Sequence, residues 1–219
     1  MTGSTVRPRA VLFDWDNTLV DSWPVIEDAL NATLVAFGHA PWSRDEVKRR
    51  VRKSMRDSFP ELFGERWEEA GRVFYARYAA IHVEKLTPIE GAADMLAELA
   101  EAGFYLGVVS NKKGEFLRRE AAELGWDRHF GRLVGALDAP RDKPAIEPIL
   151  LALEGSGIAP GREVWLAGDA DVDLECAQNA TCVPILLREH PPEEGEFPSH
   201  PPTRYFSDCR ALSRALKSL

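Results

Sequence analysis

A chain of 219 residues has room for one sizeable domain, or for a core domain carrying a smaller insertion. Its 45% hydrophobic and 28% charged residues describe an ordinary soluble globular protein, and a net charge of −8 argues against a nucleic-acid partner, whose phosphates need a basic face. Three scattered cysteines exclude a disulfide framework, and five histidines show no ligand spacing. The polar start MTGSTVRPRA does not fit a signal peptide and no run approaches membrane-spanning length, so the expectation is a cytoplasmic protein with no membrane partner.

Taken in order, residues 1–8 read as a loose tail and 9–14 as an apolar strand. Asp21-Ser22 with Pro24 just beyond marks a helix start, with a side-chain cap and a proline in the first turn. From there to residue 86 the pattern is helical: 23–37, a Gly38-His39-Ala40-Pro41 turn, a second helix from near Ser43, and a long one near 65–84. Trp67, Phe74, Tyr78 and Ile81 recur at helical spacing and read as a packing face. After Thr87-Pro88 helices and strands alternate. Helices are expected at 91–102 (ending at Gly103), 114–124 (ending at Gly125), 146–153, 171–179 and 208–218. Strands are expected at 104–109, 132–135, 164–167, 183–187 and, as an edge, 205–206, with a proline- and glutamate-rich loop at 190–202. This alternation predicts an α/β fold built on a doubly wound parallel sheet, with residues 1–21 and 87–219 as the core and 22–86 as an inserted α-helical domain.

The chemistry concentrates where strands stop. In Val11-Leu12-Phe13-Asp14-Trp15-Asp16-Asn17-Thr18 two carboxylates stand one residue apart, and an extended chain points residues i and i+2 to the same side. Like charges side by side are costly unless a cation or a proton reconciles them, which suggests a hard metal ion, a carboxylate doing covalent work, or both. Ser110-Asn111, the segment running to Lys143, and Asp169 after Gly168 repeat the pattern, and ligands of open α/β sheets sit beyond the carboxyl ends of the strands. Singly, Ser110 reads as well as a helix cap, Lys143 as a solvated lysine, Asp169 as a turn residue and Asp173 as an exposed helix residue. Their conjunction, in this order beside the Asp-x-Asp pair, outweighs those separate readings.

Asp14-Trp15-Asp16-Asn17-Thr18, Ser110-Asn111, Lys143-Pro144 and Gly168-Asp169-Ala170-Asp171-Val172-Asp173 are similar, in this order, to the four motifs of the haloacid dehalogenase superfamily. From about residue 9 to 187 the chain resembles the phosphatase branch, and 22–86 looks like the α-helical cap of that family. The resemblance implies a Mg²⁺-dependent phosphatase in which Asp14 attacks a phosphate monoester and forms an aspartyl-phosphate, while Asp16 protonates the leaving group and then activates water. It implies Mg²⁺ held by the Asp14 carboxylate, the Asp16 carbonyl and Asp169, with Asp173 helping to orient the site. Ser110 and the Asn111 backbone would hold phosphoryl oxygens, and Lys143 would balance charge on Asp14 and the phosphate. The implied partner is a small phosphorylated metabolite, phosphoglycolate first, with a phosphomutase of the β-phosphoglucomutase type or a non-catalytic metal-binding relative as alternatives.

Some residues depart from the commonest family pattern. Asn17 stands where glycine is usual, and asparagine tolerates a left-handed backbone better than most residues. Ala170, Thr181 and Ile146 replace commoner residues without removing a reacting group, whereas Asp16 separates the chain from the dehalogenases themselves. Within the insertion, Lys48-Arg49-Arg50-Val51-Arg52-Lys53-Ser54-Met55-Arg56 is basic in an acidic protein. It reads either as a solvated helix face or as a source of substrate contacts, with Arg52, Lys53 and Arg56 placed to hold a second anionic group.

Overall fold

A computed structural model describes residues 7–51 and 55–219. In chain order its elements are β1 (Ala10–Phe13), β2 (Val20–Asp21), α1 (Trp23–Ala36), α2 (Arg44–Arg50), α3 (Met55–Phe63), α4 (Trp67–Ile81), β3 (Thr87–Pro88) and α5 (Ala92–Glu101). There follow β4 (Tyr105–Lys113), α6 (Gly114–Glu123), β5 (Arg132–Ala136), α7 (Glu147–Leu153), β6 (Val164–Gly168), α8 (Asp171–Asn179), β7 (Val183–Leu187), β8 (Arg204–Phe206) and α9 (Cys209–Lys217). Contacts divide the chain into two compact units, Met1–Val20 with Pro88–Leu219, and Asp21–Thr87.

The larger unit is built on a six-stranded sheet of order β5-β4-β1-β6-β7-β8, every neighbouring pair parallel. Strand β1 lies at the centre, and its four residues Ala-Val-Leu-Phe are fully buried, as an uninterrupted apolar run must be when both faces are covered. Ala10 and Leu12 join Val164 and Leu166 in a cluster with Ile149, Ala152 and Leu153 of α7 and Cys176 and Ala177 of α8. Val11 and Phe13 alternate to the opposite face and are equally inaccessible, so helices cover the sheet on both sides. The order runs outward from β1 in both directions, and this reversal opens a crevice at the carboxyl ends. The loop at 190–202 carries no helix or strand, but it is anchored: Phe197 packs with Leu174 and Leu186, and the Gln178 side chain donates to the Pro201 carbonyl at 3.2 Å.

Strand β4 runs past the end of its apolar stretch. Val109 pairs with Val134 and Lys113 with Ala136, so four steps along β4 match two along β5. The irregularity falls on Ser110, Asn111 and Lys112, and a bulge of this kind re-aims side chains at a strand end. The expected strand end at residue 109 is therefore too early, because polar residues 110–113 continue the ladder in distorted form.

The smaller unit is helical. Leu30, Leu34, Val47, Phe59, Phe63 and Ala70 form its core, with Trp23, Phe37, Trp42, Trp67 and Phe74 packed against them. Phe74 stacks on Tyr78 at 5.8 Å, and Tyr78 and Ile81 are buried, which makes the aromatic spacing of α4 a packing face. Helix α1 starts as expected with Pro24 in its first turn, but the cap is Asp21, whose Oδ1 accepts from Trp23 N at 3.1 Å, while Ser22 makes no side-chain cap. Ser43 and Glu46 close a capping box on α2. Helix α3 and the two-residue ribbon of β2 with β3 are additions to the expected elements.

Candidate active site

Asp14 follows the last residue of β1 and its amide donates to Ala167 O at 2.8 Å, so the β1–β6 ladder fixes its backbone. The chain then turns back through Asn17, whose φ of 62° is the left-handed value that asparagine tolerates, and Asn17 N donates to Val20 O at 2.6 Å. Asp169 follows β6, the neighbouring strand, and Asp173 lies one turn into α8. Oxygen atoms of Asp14, Asp169 and Asp173 all lie within 4.8 Å of one another. A Cβ on Gly168 would collide with the Asp173 carboxylate, so glycine there lets α8 bring this acid against the strand end.

Lys143, reached through the connection between β5 and α7, is buried and donates to Asp14 Oδ1 at 2.8 Å and to Asp173 Oδ1 at 2.6 Å. The other Asp173 oxygen accepts from Ala170 N at 3.2 Å, so Asp173 also ties down the start of its own helix. Asn111 grips Lys143 from β4: its Nδ2 donates to Lys143 O at 3.1 Å and its Oδ1 accepts from Lys143 N at 2.9 Å. The sequence pointed to the Asn111 backbone, and the structure adds this two-point hold by its side chain. Ser110 is buried beside it, its Oγ accepting from Lys112 N at 3.2 Å. Arg52 and Lys53 lie outside the described residues, and so does the side chain of Arg56.

The electrostatics follow from the crowding. Burial pushes the Asp14 carboxyl up to about 6, with Lys143 opposing the rise and Asp173 and Asp16 adding to it. Asp169 is held well above the usual carboxylate range by burial and by the charges of Asp173 and Asp14. Burial alone would lower the Lys143 ammonium, but Asp14 and Asp173 more than offset this and keep it charged. An all-oxygen cluster with more acid than its one lysine neutralises fits a hard divalent cation, which takes oxygen ligands and few carboxylates.

One feature escaped the sequence. Lys112 is buried and donates to Asp16 Oδ1 at 2.7 Å and to Glu120 Oε2 at 2.5 Å. Glu120 is itself 1% exposed and also accepts from the indole Nε1 of Trp15 at 2.7 Å. The signal was present in α6, where Phe116, Leu117, Glu120 and Ala121 share the buried face. An acid in such a row must find a partner.

A doubly wound parallel sheet with a lysine-bridged carboxylate cluster at its central strand ends defines the class: an α/β fold with an acidic candidate active site at the carboxyl edge of the sheet. The model of the haloacid dehalogenase-like hydrolases matches residues 11–186, and the chain belongs to that family of hydrolases. It is 30% identical over 216 residues, covering 93% of this chain and 94% of the relative, to a phosphoglycolate phosphatase of Psychrobacter arcticus. It is 32% identical over 180 residues, 80% of this chain and 79% of the relative, to an N-acetylmuramic acid 6-phosphate phosphatase of Pseudomonas aeruginosa. A haloacid dehalogenase-like hydrolase structure from Bacteroides fragilis shares the fold with a TM-score of 0.84 at 24% identity, over 95% of this chain and 99% of that one. Among the described residues no helix is long and apolar enough to cross a membrane.

Proposed function

We propose that the protein is a Mg²⁺-dependent phosphatase that hydrolyses a small phosphate monoester through an aspartyl-phosphate on Asp14, phosphoglycolate being the leading substrate. The observation that carries this reading is the Lys143 bridge, which holds Asp14 at the end of the central strand as an ionisable but charge-compensated carboxylate. The substrate choice draws on the phosphoglycolate phosphatases among its relatives. In the first half-reaction an Asp14 oxygen forms a bond to phosphorus as the ester P–O bond breaks, and the Asp16 carboxylic acid gives its proton to the departing oxygen. In the second, Asp16 as carboxylate removes a proton from the water that attacks the phosphoryl group, releasing phosphate and regenerating Asp14. Ser110 and the Asn111 backbone hold phosphoryl oxygens, while Lys143 balances the charge gathered on Asp14 and the phosphate. Asp14, the Asp16 carbonyl and Asp169 would hold Mg²⁺, which when bound offsets the repulsion between an anionic nucleophile and an anionic substrate. The helical unit would act as the cap, and the compartment would be the cytoplasm.

The test is hydrolysis of p-nitrophenyl phosphate with and without Mg²⁺, comparing the natural chain with Asp14→Asn. This substrate has a good leaving group and makes few demands on substrate-selecting contacts. Turnover that needs Mg²⁺ and disappears in Asp14→Asn is the expected result. Undiminished turnover in Asp14→Asn would remove the covalent mechanism.

A further inference from the structure

We propose that Lys112, clamped by the buried carboxylate of Glu120, is a positioning residue that sets the Asp16 carboxylate for proton transfer. This rests on the reading of Asp16 as the acid and base of the reaction.

The contacts form a closed circuit. The Asp16 side chain accepts from Lys112, Lys112 also donates to Glu120, Glu120 accepts from the Trp15 indole, and Trp15 is the residue next to Asp16 in the chain. Trp15 is itself fully buried, with Trp126 edge-on at 5.8 Å and Phe130 at 6.5 Å, so the circuit is fastened to the core at the loop that carries both aspartates. Of the ionic members, Asp16 alone keeps appreciable access to solvent, with 21% of its side chain exposed against 4% for Lys112 and 1% for Glu120. The anchor is therefore buried, and the group it holds is the one that reaches out.

The arrangement does work that packing alone does not require. A lysine and a glutamate taken out of water generally add little net stability compared with apolar residues of the same shape, so a buried pair calls for another role. Here Glu120 keeps the ammonium in place independently of Asp16, and the ammonium limits Asp16 to orientations that keep Oδ1 within reach. A proton donor must meet the departing oxygen at hydrogen-bond distance as the bond breaks, and a carboxylate on a mobile turn meets it less often. Asp14 has its own lysine, Lys143, so the two aspartates are oriented by separate cations on different elements.

The test compares phenyl phosphate with p-nitrophenyl phosphate, which are similar in size but differ in leaving group. Phenoxide departs poorly without a proton, whereas nitrophenoxide departs readily, so the ratio of their single-turnover rates of Asp14 phosphorylation in Mg²⁺ reports proton donation. Lys112→Met alone would strand the Glu120 charge, so the main variant is Lys112→Met with Glu120→Gln, in which the buried charges are removed together. Because general acid assistance contributes about 10²- to 10⁴-fold, loss of positioning should lower the phenyl-to-nitrophenyl rate ratio by about tenfold or more. Simple structural damage would lower both rates and leave the ratio alone. Asp16→Asn is the control: it should lower the ratio at least as far. A ratio lowered by Asp16→Asn but unchanged in the double variant overturns the role of Lys112 alone. A ratio unchanged in Asp16→Asn overturns the reading of Asp16 on which it rests.

Discussion

At the scale of single residues, the carboxylate cluster sets function against stability. Asp14, Asp169 and Asp173 share a space in which Lys143 supplies the compensating charge, and Asp169 is held well above the usual carboxylate range by burial and by its two acidic neighbours. Keeping Asp169 ionised near neutral pH therefore costs folding free energy whenever no cation is present. Asp169→Asn keeps the shape and removes the charge, so in metal-free buffer it should be more stable than the natural chain by about 1 kcal/mol, a gain typical of relieving a strained functional site. Adding Mg²⁺ should raise the melting temperature of the natural chain, since a ligand at a hundred times its dissociation constant contributes about 2.7 kcal/mol. The variant should show little of that rise and little hydrolysis. Thermal melts of both proteins in chelator and in Mg²⁺ decide the matter, and a variant that loses stability in chelator contradicts the argument. Lys143 behaves in the opposite way. Lys143→Met leaves the buried acids Asp14 and Asp173 without the cation they share, so both stability and hydrolysis should fall, the latter by about a hundredfold or more.

At the scale of elements, the helical unit depends on a contact between α1 and the far end of α4. Asp28 on α1 receives two bonds from Arg77 on α4, at 2.6 and 3.0 Å, and one from Lys85 just beyond it, at 2.6 Å. The bonds from Arg77 and Lys85 hold its carboxyl down to about 2. Because the folded value lies below the ordinary 3.8, the folded state binds fewer protons than the unfolded chain between these values. The contribution is therefore complete above about pH 4 and is lost as pH falls toward 2. Asp28→Asn should cost about 1 kcal/mol near neutral pH, the upper end for a partly exposed network. Urea unfolding of both proteins should show that gap narrowing on acidification, and a gap constant down to pH 2 counts against it. Elements such as this helical pair were legible from periodicity, as were β1, α8 and β7, because burial on one or both faces writes a period into the residues. Helix α3, with Pro60 inside it, and the extension of β4 through Ser110-Asn111-Lys112 were not, because local polarity there conceals what tertiary pairing imposes. The same holds at the site. Asp14, Lys143 and Asp169 were legible through their conjunction, in order beyond strand ends, and not singly, whereas the partnership of Lys112 with Glu120 joins residues on separate elements and left only an acid on an apolar helix face as its trace.

At the scale of the whole molecule, the two units carry different reporters. Trp15, Trp126 and Trp165 are buried in the larger unit, while Trp23, Trp42 and Trp67 are partly buried in the smaller one. Cys176, Cys182 and Cys209 are all free, all buried and all in the larger unit. Burial pushes the Cys176 and Cys209 thiols up to about 12 and raises Cys182 as well, so none offers a thiolate while the sheet is intact. Thiol labelling thus follows the opening of the larger unit alone, and tryptophan fluorescence follows both. The smaller unit has its own apolar cluster but spans only Asp21–Thr87, and small domains retain the thinner margin against chain entropy. Rising urea should therefore shift the fluorescence first, with the thiols still unreactive toward a maleimide, and expose the thiols only in a second transition. Helix α8 makes the second step specific, since Cys176 sits on the helix that begins with Asp171 and carries Asp173. Labelling of Cys176 should coincide with release of the Lys143 bridge and loss of hydrolysis. Coincident fluorescence and labelling transitions would mean that the two units unfold as one, and hydrolysis lost before any thiol reacts would mean that the site opens while the sheet still holds.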